Sequence, residues 1–194
     1  MQMTKQPHFT PFPAIEIQYS HWCISTESNK IYVLNHFHGM QRSIQMYNAF
    51  SGVNPLENIA LLNFFRAHTP DTEYRAIQEA LDYALKNKPS FGGFVLTYTV
   101  GNRIVAGVVV NKTGMQGFKS ENLLVLAALH EDFKAQTTLL EDLINKAVDY
   151  ADGDIAIYAK PNHPALMMAK RMGFKEQYVE LKFQKAAQVA KVRV

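Results

Sequence analysis

The sequence predicts an α/β (α+β) fold: a mixed, mostly antiparallel sheet with a central parallel pair and helices on both faces. Three observations predict it. A tight-turn hairpin lies near the middle of the chain, where Phe94–Val100 and Arg103–Val110 flank Gly101-Asn102. A run that is apolar at every position, Leu123–Leu129, reads as a strand covered on both sides. An amphipathic helix and then a short apolar strand, Ile155–Ala159, follow it, and strand-helix-strand order places two strands parallel.

The elements follow in order. Ala14–Tyr19 alternates like a strand, Lys30–Phe37 does so less cleanly, and Thr26-Glu27-Ser28-Asn29 reads as a turn, so a hairpin is expected there. Asn54-Pro55-Leu56-Glu57 sets a cap, a first-turn proline and an acidic residue at capping-box spacing. Leu56, Ile59, Leu62 and Phe65 then predict the buried stripe of a helix. Thr69-Pro70-Asp71 ends it and begins a second helix with Tyr74, Ile77, Leu81 and Leu85 on one face. Asn122–Leu129 is the central strand. Leu139, Leu140, Leu143, Ile144, Ala147 and Val148 line one side of the next helix. Pro164–Met172 is a helix stopped by Gly173, and Gln177–Phe183 reads as a closing strand. The expected organisation is a β-rich extension over residues 1–50 packed on a main domain over 51–194.

Composition narrows the function. With 194 residues, 47% hydrophobic and 19% charged, the chain can bury a sizeable core. A net charge of +3 gives no call for nucleic acid and suits a small anionic ligand. Met1–Ala14 lacks the apolar segment of a signal peptide, and no apolar run is long enough to span a bilayer, so no membrane association is expected. The single cysteine, Cys23, fits a cytoplasmic location. His36 and His38 share a strand face without a third ligand nearby, so no metal site is expected. Aromatic residues crowd the first quarter of the chain, where they pack the extension, line an acceptor pocket or form a homodimer contact.

Two segments carry a resemblance. Gly101-Asn102-Arg103-Ile104-Val105-Ala106-Gly107 looks like an early strand hairpin of the GNAT superfamily of N-acetyltransferases. Asn162-His163-Pro164-Ala165, followed by Arg171-Met172-Gly173-Phe174, is similar to that family's late segment, where an Asn opens a helix and a Gly-Phe pair ends it. The resemblance covers roughly residues 54–183. It implies an acyl-CoA-dependent N-acyltransferase, with acetyl-CoA as donor and an amine of a small molecule or protein as acceptor. It also implies that Asn122–Leu129 and Ile155–Ala159 lie parallel and splay apart to admit the donor. The alternative is a non-catalytic GNAT-like module that binds CoA, senses it or mediates an interaction.

The resemblance also nominates site residues. The family links its central strand to the long helix through an Arg or Gln and spaced glycines, whose N–H groups face a pyrophosphate. This chain has Leu129-His130-Glu131-Asp132-Phe133-Lys134-Ala135-Gln136-Thr137-Thr138, without the glycines. Leu129, Lys134, Ala135, Gln136, Thr137 and Thr138 are therefore the implied cofactor contacts. Asn162 is a further contact or a helix cap. Many family members carry a proton-donating tyrosine where this chain has Ala169. Tyr158 is the nearest substitute acid, or else core packing. Glu121, at the mouth of the central strand, is the implied base, or a solvated strand-end carboxylate. His130 and Glu131 are candidates by position.

Overall fold

The computed structural model describes residues 24–25, 32–33, 35–37, 40–85, 92–115, 117, 119–159 and 163–177. β1 (Ile24–Ser25) and β2 (Tyr32–Val33) form a small antiparallel pair, Ile24 opposite Val33. The turn expected at Thr26–Asn29 lies outside the described residues, and the strand that precedes β2 is Ile24–Ser25. Ala14–Tyr19 lies outside the described residues. β3 (Asn35–Phe37) and β4 (Met40–Asn48) open a six-stranded sheet of order β3-β4-β5-β6-β7-β8, completed by β5 (Gly93–Val100), β6 (Arg103–Lys112), β7 (Asn122–Leu129) and β8 (Ile155–Ile157). All neighbours are antiparallel except β7 and β8. β4 pairs along its length with β5, from Arg42 opposite Val100 to Asn48 opposite Phe94. It is a strand of the main sheet, although the sequence assigns residues 40–48 to an extension.

Helices cover both faces. α1 (Pro55–His68) starts with the expected capping box: Asn54 Oδ1 accepts from the Glu57 N–H at 2.8 Å, and Glu57 Oε2 accepts from the Asn54 N–H at 3.0 Å. Its buried face differs from the expected stripe. Leu61, Phe64 and Phe65 face the sheet, while Leu56 and Ile59 are 78% and 54% exposed. With α2 (Tyr74–Ala84), which contributes Ile77 and Leu81, α1 packs on Tyr47, Val95, Val109, Leu126 and Ala128. Burying a side chain such as Phe65 contributes about 1.5–3 kcal/mol. Gly107 permits the close approach: a Cβ there would stand 2.9 Å from Phe65 Cζ and 3.0 Å from Phe64 Cε1.

α3 (Thr137–Tyr150) and α4 (Pro164–Arg171) cover the other face. Leu139, Leu143, Ile144 and Ala147 of α3 meet Phe94, Leu96, Val108, Val110 and Leu124. Gly101 takes a φ of +61° in the β5–β6 turn and Gly173 a φ of +96° after α4, as the sequence anticipates for both. Gln177 is not in a strand, and residues 178–183 of the expected closing strand lie outside the described residues.

Candidate functional site

β7 and β8 pair in parallel only through Asn122–Ile155, Leu123–Ala156 and Leu124–Ile157. β8 then ends, two residues short of the expected Ala159, because β7 has turned away. The cause is a bulge. On the β6 side Val110 pairs with Leu124 and Val109 with Leu126, so Val125 has no partner in the register. A bulge bends the strand and increases its twist, which here carries Val125–Leu129 away from β8.

Packing records the same slip. Leu124 faces the α3 side, whereas Val125 and Leu126 both face the α1–α2 side. Beyond the bulge, Ala127 and Leu129 face the α3 side and are only partly buried. They lie on the part of β7 that continues past its pairing with β8, and Tyr158, just past β8, is 58% exposed, so an opening between the two strands starts here. The sequence does not reveal Val125, because its flanking residues are apolar whichever face they take.

The opening leads to the N-terminus of α3. His130 ends the ladder, its N–H donating to the Val105 carbonyl at 2.8 Å. A 3-10 turn at Glu131–Phe133 follows. The Phe133 N–H then donates to the His130 carbonyl (2.9 Å), the Gln136 N–H to that of Phe133 (2.7 Å), and the Leu139 N–H to that of Gln136 (3.1 Å). Gln136 occupies the α3 cap without a side-chain hydrogen bond to the helix, and the first turn holds no acidic residue. Thr137 and Thr138 are exposed. Among the described residues the Thr137 and Thr138 N–H groups meet no acceptor, so these two amides and the positive dipole end of α3 are a suitable seat for a phosphate.

Beside this turn sits a charged cluster. Lys134 Nζ donates to Glu131 Oε1 at 3.0 Å, and that bond holds the Glu131 carboxyl below its usual range. Arg103 pairs with Asp132 at 3.0 Å and also donates toward His130 Nε2. His130 Nδ1 accepts from the Asp132 N–H at 3.1 Å. The rings of His130 and His68 lie 4.3 Å apart, centroid to centroid. Burial first, then the nearby His130, lowers the His68 pKa from its ordinary value.

The structure thus brings Leu129, Lys134, Ala135, Gln136, Thr137 and Thr138 together around the end of β7 and the start of α3. Glu121 stands apart. It precedes β7, and a Cβ on Gly153 would lie 1.6 Å from its Oε2, so the carboxylate packs into the α3–β8 turn. It is about 13 Å along the strand from Val125, taking roughly 3.3 Å per residue. Ala169 is 5% exposed, on the inner face of α4 beside Met168 and Met172, which pack on the core. Asn162 lies outside the described residues. The α4 cap is His163, whose Nδ1 accepts from the Ala165 N–H at 3.2 Å.

No protein-family model and no curated protein sequence matches this chain. Solved structures do. An aminoglycoside acetyltransferase from an uncultured soil metagenomic sample, in complex with sisomicin, aligns with a TM-score of 0.51 at 17% identity, covering 75% of this chain and 97% of that one. The aminoglycoside N-acetyltransferase AAC(6')-Iy in complex with CoA aligns with a TM-score of 0.54 at 13% identity, covering 76% and 97%. The aminoglycoside 6'-N-acetyltransferase AAC(6')-IG from Acinetobacter haemolyticus gives 0.52 at 15% identity, covering 74% and 97%. The likeness is one of fold: this chain has the GNAT fold, the acyl-CoA N-acyltransferase fold.

Proposed function

We propose that this protein is a CoA-dependent N-acyltransferase, with acetyl-CoA as donor and a primary amine as acceptor. The observation that carries the reading is the end of β7–β8 pairing at the Val125 bulge, in line with an α3 N-terminus whose Thr137 and Thr138 amides meet no acceptor among the described residues. The residues present fit a CoA thioester. Thr137 and Thr138 offer amides and hydroxyls to phosphate, and Lys134 adds a cation at the rim. The altered loop stays compatible, because amides at a helix start can bind an anion without spaced glycines. Ala127 and Leu129 supply a strand edge and an apolar wall for the donor arm.

The chemistry asked of the chain is modest. It holds an amine against a thioester carbonyl, and the unpaired backbone at Val125 is the candidate donor toward the developing oxyanion. Bound donor supplies the activated acyl group. Tyr158, at the mouth of the opening, is the candidate acid for the leaving sulfur. Glu121 is not retained as the base, because its carboxylate sits in the α3–β8 turn. Water or an acceptor delivered as the free amine takes that role. Asn162, next to the His163 cap, stays a proposed cofactor contact.

A non-catalytic CoA-binding module is the second reading, favoured by Ala169 being buried and unable to donate a proton. Titration calorimetry with CoA and acetyl-CoA, followed by thiol release with a panel of amines including sisomicin, separates the readings. Binding with thiol release supports the enzyme. Binding without release from any amine supports the module. No binding of either compound removes both.

A further inference from the structure

We propose that His130 is a positioning residue: its uncharged ring holds the turn between β7 and α3 and so sets the attitude in which the α3 N-terminus meets the donor phosphates. The proposal rests on the CoA reading above and adds to it a residue and a pH dependence.

The turn begins at His130. Three successive hydrogen bonds, Phe133 to His130, Gln136 to Phe133 and Leu139 to Gln136, run from the end of β7 into the first turn of α3. The first turn of this series is pinned twice at His130, by its carbonyl and by Nδ1, which accepts from the Asp132 N–H. The ring cannot drift, since its side chain is 15% exposed, one face meets His68, and Phe133 stands edge-on at 90°.

Donors approach both ring nitrogens: the Asp132 N–H at Nδ1 and the Arg103 guanidinium at Nε2. A neutral imidazole has one lone pair and satisfies one of them; an imidazolium has none and opposes both. The turn is capped by the tautomer whose lone pair is on Nδ1, and protonation of that nitrogen removes the cap. The charged groups facing the ring come from three elements: Arg103 of β6, Asp132 with Glu131 and Lys134 of the turn, and His68 at the end of α1. Asp132 Oδ2 lies 3.8 Å from Nδ1 and favours the cation, but Arg103 already holds that carboxylate at 3.0 Å.

The sign of the effect separates positioning from simple charge. A positive His130 that merely attracted phosphate would tighten binding as pH falls. A His130 that positions the turn would loosen it. Asparagine is the informative substitution, because its carbonyl oxygen caps a turn and does not titrate.

The experiment uses the full chain as parent, His130→Asn and His130→Ala. Calorimetry measures CoA affinity at about pH 8 and pH 5.5. Amide hydrogen exchange measures the protection of the Asp132 N–H over the same range. Comparing parent with His130→Asn at each pH cancels the titration of CoA itself. The parent and His130→Asn should bind alike at the higher pH. At the lower pH the parent should weaken relative to His130→Asn by roughly 2- to 10-fold, the range for one neutral hydrogen bond, and Asp132 protection should fall by a similar factor. His130→Ala should be weak at both.

A parent-to-Asn ratio that does not change with pH, or a parent that tightens at low pH, would overturn the proposal. Asp132 protection that is the same at both pH values would overturn it without reference to CoA. Failure of every variant to bind CoA would instead refute the function reading, and the Asp132 amide would still decide whether His130 holds the turn.

Discussion

Replacing Ala169 with tyrosine tests whether the missing family acid is a vacancy that can be refilled. The structure says it is not. Ala169 is 5% exposed, and its carbonyl accepts from the Phe174 N–H at 3.0 Å, which ties the end of α4 to the chain that follows. Met168, Met172 and Phe174 pack on the core from the same segment. A phenol ring at residue 169 must displace them or lift α4. Overpacking of this kind costs about 1–3 kcal/mol. In a chain of this size each kcal/mol lowers Tm by about 2–4 °C. Ala169→Tyr should therefore melt roughly 2–12 °C below the parent. It should gain no activity with an amine that the parent acetylates. Differential scanning fluorimetry and thiol release on the same preparations give both quantities. A variant as stable as the parent that releases thiol faster would show that residue 169 opens onto the cleft and has room for a phenol ring.

Three further outcomes follow from other parts of the structure. Glu131→Gln frees Lys134 and removes an anion beside the α3 N-terminus, so CoA should bind about two- to fivefold more tightly at low salt, with the gain shrinking as salt rises; weaker binding would count against a phosphate seat there. Gly107→Val forces β6 against Phe64 and Phe65 and should cost about 1–3 kcal/mol, read as a drop in the urea midpoint; an unchanged midpoint would mean α1 does not pack on Gly107. The lowered pKa of His68 means that the unfolded chain binds more protons than the native one below about pH 6.5, so this group's contribution to stability falls as pH drops through that window. His68→Gln lacks that contribution, and its Tm should decline less than the parent's between about pH 7 and pH 5; parallel declines would place the imidazole in solvent.

Much of the fold was legible because its signals are local. The Asn54–Glu57 capping box, the Gly101-Asn102 turn and the limits of β7 all rest on short-range chemistry. The inward face of α1 was not legible. Of the expected stripe Leu56, Ile59, Leu62 and Phe65, Phe65 is buried and Leu62 partly so, while Leu61 and Phe64 replace Leu56 and Ile59 on the inward face, a choice that only the sheet beneath makes. β4 escaped notice because the consecutive polar residues Gln41, Arg42 and Ser43 interrupt its alternation; Ser43 and Thr99 satisfy each other across the strand pair at 2.7 Å. The candidate site shows the same division. Lys134–Thr138 follows from the position between a strand and a helix. Val125 does not, since a bulge within an apolar run leaves no trace in residue type. Glu121 was misplaced because strand alternation gives a face but not what stands opposite, and opposite it is Gly153.

The central claim is that a CoA thioester enters between β7 and β8 and places its phosphates on α3. Amide chemical-shift mapping of the full chain during titration with CoA tests it most directly. Saturable shifts are expected at Thr137 and Thr138, at Val125–Leu129, and at Tyr158, while the buried α2 amides at Ile77 and Leu81 stay fixed. Shifts confined to the α1–α2 face, or none up to millimolar CoA, would contradict it.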